Sequence, residues 1–582
     1  MTYINLEEIL NEYYPKLFQN KPEFVKKIFL KFFNNILYIH EINEFFKTHD
    51  GERGIEFINS VCDYLNFSFS ISDKDISKIP SEGRLICVAN HPIGSLDSLS
   101  LLKAIYNIRN DVKIIANDIL LAIEPVNDFI LPFKLESKKV QKENVESIGE
   151  ALENEQVVIM FPAAEVSRLN GIYVRDGKWN KGCIYFARKY NAPILPVYVK
   201  AKNSCFFYFV SLLNRYFSRV LLAHELFNKK NKTISLKFGD PIPAKSFQKS
   251  FINDKFQTKL LKKHVYSIGK DKRGTYTTEQ NIIHPIDRKL IKKELNNSKV
   301  LGITSDDKMI LLTTKEVSPN VITEVARLRE ITFRKVGEGT GKKLDIDKFD
   351  DIYKHIIVWD EKELEIVGSY RLGIGKEILE KTGVNGFYTS TLFDFSDEFV
   401  ENYIADSIEL GRSFVQKKYW NTNALHYLWQ GIGAFLAHNN FVKYMFGGVS
   451  ISDSYPLGAK RALVYYFNKW FGSRKTLAKS KNKFEIPNNS INEYAGKFTG
   501  ENQRQDYFIL KNLMKPYGFT VPILYKHYSE LCEDNGVSFI DFGIDNSFEQ
   551  CIDGLILVDI DKIKQEKKDR YINCFLPNAA HA

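Results

Sequence analysis

The chain has 582 residues, too many for one ordinary core, so two or more domains are expected. An apolar fraction of 44% is that of a soluble globular protein, and 43 Phe with 30 Tyr make it rich in aromatics. The net charge of +10 points to an anionic partner or surface, without choosing among nucleic acid, membrane and acidic protein.

The opening stretch, MTYINLEEILNEYYPKL, is too acidic and too weakly apolar for a signal peptide. No run of about 18 apolar residues occurs, so no transmembrane helix is expected. The nearest candidate, Cys205 to Leu213, continues into Asn214, Arg215 and Arg219. Residues 22–47 read as one helix. Phe24/Val25, Ile28/Phe29, Phe32/Phe33 and Ile36/Leu37 recur every four residues, flanked by Lys26, Lys27 and Lys31. Such a stripe packs on a core or lies in a membrane interface, and both readings stay open.

From 84 to 200, short apolar runs alternate with helical segments. Strands are expected at Leu85–Ala89, Val112–Ala116, Val157–Phe161 and Ile194–Val199, and helices at 97–106, 143–153 and 180–190. This is an α/β pattern. Thr233–Phe238 adds a strand. The seven cysteines (62, 87, 183, 205, 532, 551 and 574) form no C-x-x-C, and no His/Cys cluster has metal-ligand spacing, so reduced structural thiols are expected.

The first expected strand ends in "VANHPIGSLDSLSLL", with His91 at its end and Asp97 opening a helix. Acyl transfer to a hydroxyl needs a base for the departing proton, and a neutral imidazole oriented by a carboxylate serves. Asp97 would equally serve as a plain helix cap. Two later segments add weight: "VVIMFPAAEVSR", Val157 to Arg168, and "NAPILPVYV", Asn191 to Val199. In this order the three resemble the glycerolipid acyltransferases, with their N-H-x-x-x-x-D, F-P-E-G-x-x-R/S and V-P-I-x-P blocks. The one-residue-longer His-to-Asp interval matches the variant of hemolysin-like and ornithine-lipid acyltransferases.

The resemblance implies an α/β domain with N-terminal amphipathic helices, His91 as base and Asp97 as its orienter. Substrate would be bound by Asn90, Gly94, Phe161, Pro162, Glu165 and Arg168. The usual glycine of the second block is absent; Ala164 stands beside Glu165.

Polar, charged sequence over 266–300 reads as a linker, and a second α/β pattern follows. It runs helix 318–335, strand 355–360, "EIVGSYRL", strand 387–394, strand "SIELGRSFV", helix 422–438 and strand 441–449. The ordered set Arg329, Phe333, Asp347, Asp350, Arg371, Phe393, Glu409 and Arg412 resembles the acyl-homoserine lactone synthases and the ornithine lyso-lipid synthases. That implies a GNAT fold, with Glu409 and Arg412 catalytic and the other six binding substrate. Glu409 would bind or deprotonate an amine, while Arg371 and Arg412 would hold the amino acid carboxylate or order the loops.

Together the halves resemble bifunctional ornithine lipid synthases. The expected organisation is 1–75 helical and possibly membrane-interfacial, 76–265 O-acyltransferase-like, 266–300 linker, and 301–582 GNAT-like. The resemblance implies acyl carrier protein, or coenzyme A, as thioester donor and no bound cofactor. Ornithine, or another amino acid such as glycine, would accept the first chain, and the lyso-aminolipid the second. Its expected place is peripheral, at an anionic membrane on the cytoplasmic side, with no nucleic acid as partner.

Overall fold

A computed structural model describes residues 22–576, except 118–119, 122, 134–137, 214–217, 219–220 and 249–251, together with residues 5, 7 and 8. The chain divides into two compact units, Met1–Asn281 and Ile282–Ala582.

The first unit is a seven-stranded sheet, ordered β1-β9-β8-β2-β5-β3-β4. The strands are β1 (Ser68–Ser70), β2 (Leu85–Ala89), β3 (Val112–Asn117), β4 (Ile130–Phe133), β5 (Val157–Met160), β8 (Ile194–Lys200) and β9 (Thr233–Phe238). A separate hairpin joins β6 (Arg168–Asn170) to β7 (Tyr173–Arg175). All seven-sheet pairs are parallel except β8 with β9. Parallel strands covered on both faces read as continuous apolar runs. Accordingly Leu85, Cys87 and Ala89 enter one apolar cluster, with the helices Gly54–Tyr64 and Ser95–Tyr106, while Ile86 and Val88 enter the opposite one. His91 follows the carboxyl end of β2 and Phe161 that of β5, the edge where open α/β sheets place ligands.

The single helix expected over 22–47 is two, Glu23–Ile36 and Ile39–Thr48, because Tyr38 takes a left-handed φ of 56°. The side chains of Val25 and Phe33 lie outside the described residues. The exposed stripe is Phe24, Ile28 and Phe32. Residues 1–75 are not a separate region: Ile58, Cys62 and Leu65 belong to the sheet's core and Ser68–Ser70 is its edge strand. Nor is 266–300 a free linker. Its first residues finish the helix Asp254–Ile268, and its last carry a helix, Arg288–Leu295, whose Ile291 and Leu295 pack in the second unit.

The second unit is an eight-stranded sheet, β10-β11-β12-β13-β15-β16-β19-β18. The strands are β10 (Lys299–Ile303), β11 (Met309–Thr313), β12 (Lys354–Asp360), β13 (Glu365–Ile374), β15 (Ser407–Val415), β16 (Tyr444–Ile451), β18 (Val537–Asp545) and β19 (Cys551–Asp559). One face packs on the helix Ala424–Ala437, and the other carries Pro319–Val336. The strand expected at 387–394 is instead a 3₁₀ turn, Thr389–Thr391, leading to a short strand, β14 (Phe393–Phe395), that pairs outside the sheet with β17 (Ala478–Ser480).

All sheet pairs are antiparallel except β15 with β16, which pair only over Ser407–Glu409 and Tyr444–Phe446. Beyond that the two strands separate, and β16 continues against β19 alone. At the point of divergence the backbones approach closely: a Cβ on Gly447 would lie 2.1 Å from the Leu410 carbonyl oxygen.

Candidate active sites

In the first unit, the turn after β2 is built around Asp97. Its Oδ2 accepts the backbone N–H groups of Ile93 (2.9 Å) and Gly94 (3.2 Å). Gly94 sits at φ 100°, a conformation that favours glycine. These bonds leave Oδ1 facing His91 Nδ1 at 3.1 Å, with Asp97 fully buried. The cap and the orienter are therefore one residue. With Nδ1 turned to the carboxylate, Nε2 is the ring nitrogen on the far side from it.

Burial would lower the His91 pKa, but Asp97 and then Asp176 outweigh it, and the imidazole is more basic than an ordinary histidine. Asp176 was not signalled by any sequence motif. It is buried, accepts the His91 backbone N–H (3.2 Å), the Ser167 hydroxyl and Trp179 Nε1 (2.8 Å), and so ties the turn to the segment after β5.

The second block runs beside this turn. The Phe161 ring lies 4.3 Å from the imidazole, and the Ser167 N–H donates to the His91 carbonyl (2.7 Å). Ala164 takes a left-handed φ of 56°, so the chain bends there as glycine would, at the cost of a Cβ. Arg168 is largely buried, 3.6 Å from Glu165, and donates to the Ser211 and Ser218 hydroxyls. Asn90 has a different use from the expected one: its amide bridges β2 to β8, donating to the Val199 carbonyl (3.0 Å) and accepting its N–H (2.7 Å). Pro162 is buried and its carbonyl accepts the Asn180 N–H.

In the second unit, Arg329 forms a two-pronged bond to Asp350 (3.0 and 2.9 Å) and lies 3.2 Å from Asp345. Burial would raise the Asp350 pKa; Arg329 and Arg371 outweigh it and hold the carboxyl well below the usual range. Arg371 donates to Asp347 (2.7 Å). Arg412 lies 3.6 Å from Asp345 and stacks over the Tyr388 and Phe548 rings at 4.8 and 4.5 Å. The polar members of the predicted set thus converge. Phe333 and Phe393 do not bind from this cluster; both are buried apolar core, Phe333 edge-on to Phe548.

Arg412 reaches the cluster through a bulge. Arg371 pairs with Gly411 and Ser369 with Phe414, so Arg412 and Ser413 together oppose Tyr370, with Arg412 at φ 50°. Strict alternation would turn Arg412 to the face of Leu410, inside the apolar core.

Glu409 corrects an expectation. Its Oε1 accepts the N–H and hydroxyl of Thr389, both at 2.7 Å, and its Oε2 accepts the Tyr388 N–H (3.1 Å) and the Tyr353 hydroxyl. Four donors fill a carboxylate's lone-pair directions, so Glu409 fixes the 387–391 loop rather than receiving an amine. Tyr353, Tyr388 and Thr389 were not singled out from sequence, since their roles depend on contacts across the sheet.

Residues 8–272 match the family model for Acyltransferase, and residues 328–430 that for Acetyltransferase (GNAT) domain. The chain is 33% identical over 309 residues to a glycine N(alpha)-acyltransferase of Bacteroides thetaiotaomicron, covering 51% of this chain and 91% of that protein. It is 28% identical over 256 residues to a lyso-glycine lipid O-acyltransferase of the same organism, covering 42% and 91% respectively. An L-ornithine N(alpha)-acyltransferase of Rhizobium meliloti is 33% identical over 134 residues, 22% of this chain and 44% of that protein.

Proposed function

We propose, for a chain that belongs to the amino-acid N(alpha)-acyltransferase family and is an acyltransferase of aminolipid synthesis, two acyl transfers in sequence, with glycine as the first acceptor. The second unit joins a 3-hydroxyacyl chain from a carrier-protein or coenzyme A thioester to the amine. The first unit then acylates the 3-hydroxyl of that product. The observation that carries this reading is that one chain spans nine-tenths of each of two relatives, one named for glycine and the other for the lyso-glycine lipid, at 91% each. The ornithine relative is covered over only 44% of its length, which favours glycine over ornithine.

The geometry supplies a role for each group. His91 Nε2 takes the hydroxyl proton as the oxygen attacks the thioester carbonyl, and Asp97 stabilises the imidazolium. Arg168, which donates to two serines and pairs with Glu165, supplies positive charge for an anionic acceptor. In the second unit, Arg371 and Arg412 hold the amino acid carboxylate beside the parting of β15 and β16. There unpaired strand amides are available to polarise the thioester carbonyl.

Both substrates of the second step are lipids, and the first unit presents a surface suited to them. Phe24, Ile28 and Phe32 on one helix, and Phe206, Phe209, Leu212 and Leu213 on the helix Cys205–Leu213, are all exposed. Ile36 packs in one apolar cluster with Phe207 and Tyr208, so the two helices adjoin. No helix among the described residues is long and apolar enough to cross a membrane. The reading is peripheral binding to an anionic bilayer.

The test is expression in a host lacking aminolipids, followed by lipid extraction and mass spectrometry. A diacylated glycine lipid is expected. An ornithine head group would reverse the choice of acceptor, and no new aminolipid at normal protein levels would overturn the reading.

A further inference from the structure

With Glu409 saturated, the second unit needs another acceptor for the amine's proton. Asp553, on β19, is 6% exposed. The Cys551 thiol donates to its Oδ2 at 3.8 Å. Asp553 pairs with Ser450 of β16, and Gly448 lies on the diagonal to it, just past the point where β15 leaves β16. A Cβ there would stand 3.6 Å from Asp553 Oδ1 and 3.8 Å from Thr389 Cγ2, so the missing side chain keeps open the space between the acid and the loop that Glu409 fixes.

A second observation points to the same place. Arg371 is 1% exposed, and its Nε and Nη2 have no hydrogen-bond partner among the described residues; nor has Arg412 Nε. Both guanidinium groups lie against the Tyr388 ring, at 5.4 and 4.8 Å, and the Tyr388 hydroxyl donates to Asp545 on the neighbouring strand (3.0 Å). The ring thus separates a pair of buried cations with spare donors from a group of buried acids. That is the charge arrangement an amino acid zwitterion requires.

We infer that Asp553, rather than Glu409, takes the ammonium proton of the acceptor amino acid while Arg371 and Arg412 hold its carboxylate; the inference rests on the N-acyl transfer proposed above. The free amine then attacks the thioester carbonyl, the C–N bond forms and the C–S bond breaks. The remaining proton leaves nitrogen for the departing thiolate, and the proton on Asp553 returns to solvent. The groups facing Asp553 are Asp545 from β18, Glu338 from the loop after Pro319–Val336, Arg412 from β15, Tyr388 from the 387–391 loop, and Cys551 and Tyr525. Burial, then Asp545 and Glu338, push its carboxyl up to about 7, against Arg412, which suits a group that gains and loses a proton near neutrality.

The experiment uses the full chain, a 3-hydroxyacyl thioester and glycine, with N-acylglycine as readout. Acylation of added lyso-lipid by the first unit serves as an internal control for folding. Asp553→Asn should lower kcat for N-acyl transfer by about 10²–10⁴ with KM for glycine changed far less, and should abolish the acid limb of the pH profile. Asp553→Glu should recover part of the rate and restore the limb. Wild-type rate and pH profile in Asp553→Asn would overturn the assignment. So would equal loss in Asn and Glu variants whose melting temperatures match wild type. A wild-type chain that acylates no amino acid, with its lyso-lipid activity intact, would overturn the N-acyl reading and this inference with it.

Discussion

His91 must be neutral to accept a proton, and its surroundings make that harder than usual. Burial favours the neutral form, but Asp97 and Asp176 outweigh it and raise the pKa above the ordinary 6.5. O-acyl transfer should therefore climb with pH through a value above about 6.5 and level off. Asp97→Asn should move that limb to lower pH and lower the plateau, measured as initial rate on lyso-lipid between pH 5.5 and 9. A limb that stays put would mean that Asp97 only caps its helix. His91→Ala should cost about 10²–10⁴ in rate and leave cells accumulating the monoacylated aminolipid. Glu409 invites a contrasting test. Removing its carboxylate takes the acceptor from the N–H and hydroxyl of Thr389 and from the Tyr353 hydroxyl, while the Tyr388 N–H keeps its bond to Tyr353, at about 1–3 kcal/mol for each buried donor left unpaired. Glu409→Ala should accordingly lower the second unit's melting temperature along with N-acyl transfer, whereas a residue that only handled the amine would spare stability.

The motif E-L-G-R reads from sequence as a plain alternating strand, and the strand itself was legible: "SIELGRSFV" is β15, within the limits expected. The bulge was not legible. It arises from the register of β13 against β15, where Tyr370 opposes both Arg412 and Ser413. Deleting Ser413 should restore alternation, turn Arg412 toward the face of Leu410, and bury a guanidinium in apolar surroundings. N-acyl transfer should vanish while the first unit's O-acyl transfer persists; retained N-acylation would show that the bulge does not set the side chain's direction. The helix Glu23–Ile36 offers the matching test in the first unit. Ile28→Glu with Phe32→Glu replaces exposed apolar residues, so folding should be nearly unaffected while sedimentation with anionic vesicles falls. Wild-type binding should itself weaken with salt, since charge supplies part of it.

Across the whole molecule, two units with separate cores and separate relatives predict separable chemistry. Residues 1–281 and 282–582, expressed as two chains in one host, should together restore the diacyl lipid; each core is closed within its own unit. Failure with both halves folded would show that the covalent link is needed. Acid should destabilise the first unit, whereas in the second the lowered pKa of His355 is opposed by Glu338 and Asp553, whose carboxyls burial pushes up to about 7. Burial lowers the pKa of His264 in the first unit to about 4 and of His355 in the second to about 3. In the unfolded chain both titrate near 6.5, so below about pH 6.5 the unfolded state binds protons the fold refuses, and stability falls as pH falls. His91 acts in the opposite sense: its raised pKa adds stability below about 6.5 that is lost as pH rises through the folded value. The first unit's melting temperature should therefore drop between pH 6.5 and 4.5, and His264→Gln should flatten that slope.

The sequence by itself determined the buried strands of the first sheet, because burial on both faces forces continuous apolar runs such as Leu85–Ala89. It put His91 and Asp97 within reach of each other, six residues apart across one turn and the start of one helix, but left open whether Asp97 faces the imidazole or only caps the helix. It placed Arg329, Asp347, Asp350, Arg371 and Arg412 in one cluster only through resemblance, since the spacing among them carries no geometry of its own. What tertiary structure alone decided was the use of each group. Asp176 reaches the His91 turn from 85 residues away, and Glu409 meets its four donors from two loops. Arg412 faces the acids only because two strands pair out of step. Such contacts depend on register and on donors supplied by distant backbone, and local sequence constrains neither.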